Sequence, residues 1–172
     1  APTVANPLDD VTVNEDASDT SIVLTAVFTD VDNYDFRITK NVYTSKEDSN
    51  LVIGQIDGDI LTLDYQNDHN GTAEIIVLAE SYHSDGTSTD LTVTDTFTVK
   101  INAVNDAPSF TKGTDQTVLE DSGQSTITNW AASISAGPSD EIGQTITFAV
   151  SNDNNSLFSS QPAISSSGTL TF

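Results

Sequence analysis

The run LTVTDTFTVKIN (91–102) alternates with a period of two: Leu91, Val93, Phe97, Val99 and Ile101 are apolar, while Thr92, Thr94, Thr96, Thr98 and Lys100 are polar. Successive side chains of a strand point to opposite faces, so this pattern describes a strand with one face in a core and one in water. Asp95 interrupts the apolar set, and its place predicts a bulge or strand break there. Strand-like runs recur upstream as DVTVNE (10–15), TSIVLTAVF (20–28), DFRITKNVY (35–43), NLVIGQI (50–56), DILTLDY (59–65) and TAEIIVLAE (72–80). Turn signals lie between them at Asp57-Gly58, Asn70-Gly71 and Asp85-Gly86. No segment carries a helical period. About seven strands is the count of an antiparallel Greek-key sandwich of immunoglobulin size.

An internal repeat sets the domain organisation. Ala1-Pro2 recurs as Ala107-Pro108 and Val13-Asn14-Glu15-Asp16 as Val118-Leu119-Glu120-Asp121, at offsets of 106 and 105 residues. Residues 1–106 therefore form one sandwich, and residues 107–172 open a second. The second holds TVLED (117–121), STITNWAAS (125–133), QTITFAV (144–150) and a final TLTF (169–172). These are too few strands to complete the pattern of the first, so the fold class is all-β with tandem sandwiches, the second incomplete. A sandwich that lacks a central strand exposes ladder groups and core face, and is expected to be poorly stable alone. Trp130 is expected in its core, because buried aromatics anchor such packing.

Charge narrows the partners. The chain carries 26 acidic and 5 basic residues, a formal net charge of −21, and no cysteine. Nucleic-acid phosphate and anionic lipid are repelled by such a surface. A disulfide framework, a thiol nucleophile and a cysteine zinc site are excluded. No apolar run reaches the length of a membrane span. The chain opens at Ala1 without a signal peptide, and is expected to be a segment of a longer protein. A chain this acidic either solvates its charge or binds cations.

Ca²⁺ takes six to eight oxygen ligands from carboxylates and carbonyls. Acidic patches stand at Asn14-Glu15-Asp16, Asp30-Val31-Asp32-Asn33, Asp57-Gly58-Asp59, Asp64, Asn105-Asp106 and Ser139-Asp140-Glu141, mostly at expected strand ends or loops. The stretch VKINAVNDAPSF (99–110), together with EIIVLAE (74–80) and TVNED (12–16), resembles the cadherin superfamily, and more closely the bacterial cadherin-like, dystroglycan-type repeats of secreted adhesins and surface proteins. The resemblance implies calcium at the junction between successive domains. It matches Glu15 to the first-strand Glu, Asp64 in Leu63-Asp64-Tyr65-Gln66 to the Asp-x-Glu motif, and Asn105 and Asp106 to the linker. It also matches Asp30 and Asp32 to the Asp-x-Asp loop, and Asp140 more weakly to that loop in the second domain. Two departures lower the ligand count: Gln66 stands where the family has Glu, and Ala103 where it has Asp.

Other chemistries find little support in the residues. Asp30-Val31-Asp32 lacks the remaining ligands and glycine of an EF-hand, and no Gly-Gly-x-Gly-x-Asp repeat occurs. His69 and His83 are the two histidines, both in turn-rich stretches, and no Gly-x-Ser-x-Gly elbow is present. The expected function is thus a non-enzymatic, calcium-binding module of a secreted or cell-surface bacterial protein, acting in adhesion, in association with neighbouring repeat domains, or as a stiffened spacer. The alternative is a calcium-dependent polysaccharide-binding module, with Tyr34, Tyr43, Tyr65, Tyr82 and Trp130 as rings that stack on sugars. Asn70-Gly71-Thr72 and Asn154-Asn155-Ser156 have the form of glycosylation sequons and are expected to serve as turns.

Overall fold

In the computed structural model, which describes residues 1–30, 37–44, 48–82 and 91–172, the alternating run 91–102 is one unbroken strand. The chain divides into two units, Ala1–Val104 and Asn105–Phe172, a boundary two residues ahead of the one drawn from the repeat. Helical structure among the described residues consists of three-residue 3-10 turns at Asp48–Asn50, Ser139–Glu141 and Asn155–Leu157. The protein is all-β. No helix among the described residues is long and apolar enough to cross a membrane.

The first unit contains β1 (Pro2–Val4), β2 (Val11–Asn14), β3 (Thr20–Val23), β4 (Phe28–Asp30), β5 (Arg37–Thr44), β6 (Val52–Asp57), β7 (Ile60–Tyr65), β8 (Gly71–Tyr82) and β9 (Leu91–Asn102). One sheet has the order β2-β9-β8-β5, a second β3-β7-β6, and β1 pairs with β4. The inward residues of both larger sheets meet in one core: Leu61, Leu63 and Tyr65 of β7 against Ala73, Ile75 and Val77 of β8 and Phe97, Val99 and Ile101 of β9. Two sheets facing one another over a shared core make a sandwich, in the immunoglobulin-like strand arrangement.

Three expectations for this unit are corrected. The run TSIVLTAVF is two strands, because the chain turns between β3 and β4, where Val27 N–H donates to the Leu24 carbonyl at 3.2 Å. The sandwich is not purely antiparallel: β2 runs parallel to β9, from Val11 beside Val99 to Asn14 beside Asn102. A parallel pair needs a long crossover, and here the intervening strands of the domain supply it. Asp95 makes no bulge, since β8 and β9 stay in register from Gly71 beside Ile101 to Ser81 beside Leu91, with Asp95 opposite Val77. Its half-buried carboxylate has a donor there: Oδ2 accepts the Leu8 backbone N–H at 2.7 Å.

The second unit contains β10 (Ser109–Lys112), β11 (Thr126–Ile127), β12 (Ala131–Ser135), β13 (Ala163–Ile164) and β14 (Leu170–Thr171). β10 pairs with β12, and β11-β14-β13 form a three-stranded sheet. TVLED and QTITFAV, expected as strands, enter no ladder. A period-two pattern makes a strand only where a partner accepts its backbone groups. Trp130 is half-buried rather than in a core: it stands at the turn before β12, donates its indole N–H to the Thr114 carbonyl at 2.9 Å, and lies against Gly113. Ala131 and Leu170 are the buried apolar residues of this unit. Edge-to-face ring pairs, Phe110 with Phe148 and Phe158 with Phe172, add apolar contact outside them.

Candidate functional site

Glu15 is the one buried acid of the first unit's described core-facing positions, at 4% exposure. The parallel ladder puts it there: Glu15 follows the last residue of β2, and its own N–H continues the pairing by donating to the Asn102 carbonyl at 2.9 Å. A carboxylate buried beside a sandwich core is costly unless donors reach it. Here Oε1 accepts the Val104 backbone N–H, and Oε2 accepts a long bond from Asn70 Nδ2 at 3.5 Å. The residue thus fastens the first-strand end to the segment that leaves β9.

Two further acids gather at this end of the unit. Asp16 and Asp68 each adopt a left-handed backbone, with φ of 59° and 58°, a conformation that Asp tolerates through local hydrogen bonding. Asp68 donates its N–H to Asp16 Oδ1 at 3.0 Å, and a carboxylate oxygen of each lies within 4.8 Å of the other. Asp16 belongs to the motif that carries Glu15, but Asp68 was not singled out by any spacing. It comes from the turn after β7 that also holds Asn70, so only the fold brings it beside Asp16. The neighbouring His69 is spent locally, its Nδ1–H donated to the Asn67 carbonyl at 2.6 Å.

Asp64 lies on β7, half-buried and opposite Ile53, with its backbone carbonyl accepting from Gln66 Nε2 at 3.3 Å. Gln66, which replaces the family's Glu, is also tied by its N–H to the Leu51 carbonyl at 2.9 Å. Asp30 ends β4 opposite Pro2, and its Oδ1 lies 3.2 Å from the amino group of Ala1. Asp32 lies outside the described residues.

In the second unit, Asp106 donates its N–H to Glu141 Oε1 at 2.8 Å, and Asn105 Oδ1 accepts from Gln144 Nε2 at 3.1 Å. The acid from Ser139-Asp140-Glu141 that turns inward is therefore Glu141, 4% exposed, whereas Asp140 is exposed. Gly137 leaves room for it, since a Cβ there would run into Glu141 Oε2. Each unit thus has a buried Glu whose carboxylate accepts a backbone N–H next to the Val104–Asn105 connection.

All these groups offer hard oxygen donors, the kind that suit Ca²⁺. The aromatic residues are dispersed. Tyr65 is in the core with its hydroxyl donated to Thr20 Oγ1 at 2.7 Å. Tyr43 is 52% exposed on β5, Trp130 belongs to the second unit, and Tyr34, His83 and the Tyr82 side chain lie outside the described residues.

No family model matches the chain, and no curated protein matches it. Among solved structures, a chimeric titin Z1Z2-Z1Z2 tandem, functionalized with a GRGDS exogenous peptide from fibronectin, is similar at 20% identity and a TM-score of 0.35, over 99% of this chain and 83% of that one.

Proposed function

We propose that this chain is a calcium-binding, non-enzymatic module of the cadherin-like kind, part of a secreted or cell-surface bacterial protein. In this reading it serves adhesion, association with neighbouring repeat domains, or spacing between them. The observation that carries the reading is the gathering at one end of the first unit: buried Glu15, with Asp16 and Asp68 holding carboxylate oxygens within 4.8 Å of each other. Like charges this close repel, and a divalent cation relieves that repulsion while adding ligand bonds. Glu15, Asp16 and Asp68 are the first unit's proposed ligands, with Asp64 as the motif's further candidate. Asn105 and Asp106, the linker pair named by the resemblance, are the expected contributors from the next residues of the chain.

Titration calorimetry with Ca²⁺ tests this on the full chain and on Glu15→Gln, Asp68→Asn, Asp106→Asn and Asp19→Asn. Asp19 is exposed and serves as the control. The expected result is a loss of affinity of tenfold or more in Glu15→Gln and Asp68→Asn, and none in Asp19→Asn. A loss in Asp106→Asn places the linker in the same site. Equal binding by all four variants overturns the proposal. Retention on an insoluble polysaccharide that chelator abolishes would instead favour the sugar-binding alternative.

A further inference from the structure

The parallel pairing of β2 with β9 reaches beyond its ladder, in which Val11 to Asn14 lie beside Val99 to Asn102. Ahead of the ladder, Leu8 N–H donates to Asp95 Oδ2 and Thr98 N–H to Asp10 Oδ1, each at 2.7 Å. Behind it, Glu15 N–H donates to the Asn102 carbonyl at 2.9 Å, and Glu15 Oε1 accepts the Val104 N–H. Asn102 Nδ2 adds a bond to Asn14 Oδ1 at 3.4 Å. One seam therefore runs from Leu8 to Glu15 along residues 95–104. Backbone bonds carry its middle, and carboxylates extend it past both ends.

Strand direction decides how this seam answers to tension. The chain enters β2 at Val11 and leaves β9 at Asn102, which stand at opposite ends of one parallel ladder. A pull on the chain ahead of Leu8 against the chain beyond Val104 slides the two strands past each other. The bonds of a parallel pair are evenly spaced along it, so all of them are strained together. An antiparallel hairpin such as β6–β7, pulled by its two tails at Val52 and Tyr65, opens one bond at a time instead. β1 lies ahead of the seam, and its three-residue pairing with β4 is separate from it. Behind the seam lies the core: Phe97, Val99 and Ile101 of β9 are buried in it, and Val11 and Val13 pack against it.

We propose that the first unit is a tension-bearing module, and that the seam between Leu8–Glu15 and β9 is the clamp that sets its resistance. A pull along the chain must shear the whole seam before it strips β9 from the core. Asp10 and Asp95 have their role here, lengthening the clamp at the end where force enters. Forced unfolding is governed by the unfolding rate, so the clamp lengthens the folded lifetime under load more than it raises equilibrium stability. The inference rests on strand direction and register, and stands apart from the proposed metal site.

The test is single-molecule pulling of the full chain at constant force, in chelator. The chain has no cysteine, so engineered pairs fix the points of attachment. Ala5→Cys with Ala107→Cys loads the seam in shear. Asp19→Cys with Ala107→Cys loads the same strands from the Asn14–Asn102 end, where they peel apart. All three positions are exposed, and residues 108–172 lie outside both loaded spans. At equal force the first unit should unfold at least about tenfold more slowly in shear than in peeling. Asp95→Ala removes the acceptor of Leu8 and should speed shear unfolding by roughly tenfold. It should leave the peeling rate unchanged, because Asp95 sits at the end that peels last. Val52→Ala opens a cavity in the buried core away from the seam. It should lower the urea midpoint and leave the shear lifetime unchanged, since its contacts are intact when the clamp breaks. Equal lifetimes in the two pulling directions overturn the proposal, and that comparison needs no substitution within the seam. So does an Asp95→Ala effect that is the same in both directions, or a Val52→Ala variant that shortens the shear lifetime as much as Asp95→Ala.

Discussion

Leu8 donates its backbone N–H to Asp95 Oδ2 at 2.7 Å, and two residues later Asp10 Oδ1 accepts the Thr98 N–H at 2.7 Å. These two side-chain bonds carry the contact between the first strand region and β9 beyond the ladder that begins at Val11 and Val99. Asp95 thus sits on the core face of β9 because a backbone donor needs it there. Asp95→Ala leaves the part-buried Leu8 N–H without that acceptor and should cost about 1–3 kcal/mol. Asp95→Asn keeps a carbonyl oxygen and should cost less than half as much. Urea unfolding of the two variants measures the difference, and equal costs would mean that the Leu8 bond contributes nothing.

This pair also marks where sequence reasoning stopped. β9 was legible because its alternation is local and complete. The role of Asp95 was not, because its donor lies 87 residues away in sequence and a polar residue on an apolar face looks like an interruption. QTITFAV shows the reverse error: its pattern is as good as that of a real strand, but a strand also requires a partner edge, which no local pattern reports. At the site, the motif around Glu15 was readable from the linker and first-strand residues. Asp68 was not, since only the turn after β7 carries it to Asp16. Nor was the choice between Asp140 and Glu141, because neighbours in a 3-10 turn differ only in which one faces inward.

Calcium should raise the melting temperature of the first unit. An ion bound only by the folded state stabilises it by about 2.7 kcal/mol at one hundred times its dissociation constant. Sodium at matched ionic strength only screens, so its effect should be much smaller. Glu15→Gln should separate the two roles of that residue. Its amide oxygen still accepts the Val104 N–H, so the metal-free melt should change little, while the calcium-induced rise shrinks. Glu15→Ala should lower the metal-free melt as well, by the about 1–3 kcal/mol of an unsatisfied buried donor. A calorimetric melt identical with and without calcium would remove the basis for any structural ion.

The two units should unfold separately, and the chain carries its own reporter for this. Trp130 is the single tryptophan and belongs to the second unit. Among its described residues the first unit has a continuous core of fourteen buried apolar side chains, whereas Ala131 and Leu170 are those of the second. Far-ultraviolet circular dichroism follows mainly the long strands of the first unit, and tryptophan emission follows the second. The emission transition should therefore come at lower urea than the dichroism transition, since coincident curves are the mark of a single cooperative unit. Coincidence of the two curves would show that the second unit borrows stability from the first.

Two glycines of the second unit provide a matched test of what shapes it. Gly123 and Gly168 both have left-handed backbones, with φ of 75° and 83°. A Cβ at Gly123 meets nothing within 4 Å, but a Cβ at Gly168 would run into the Ala131 carbonyl, which is backbone and cannot swing aside. Gly168 also closes the β13–β14 turn, donating its N–H to the Ser165 carbonyl at 2.8 Å and accepting the Ala131 N–H at 3.0 Å. Any L-residue in this conformation costs about 1–2 kcal/mol, so Gly123→Ala should shift the tryptophan transition by roughly that amount. Gly168→Ala adds displacement of β12, the strand that carries the buried Ala131, and should move the transition further or abolish it. The dichroism transition of the first unit should stay in place for both, because distant sites without shared partners add independently. If the two substitutions cost the same, the close approach of Gly168 to Ala131 does not hold β12 against the β13–β14 turn.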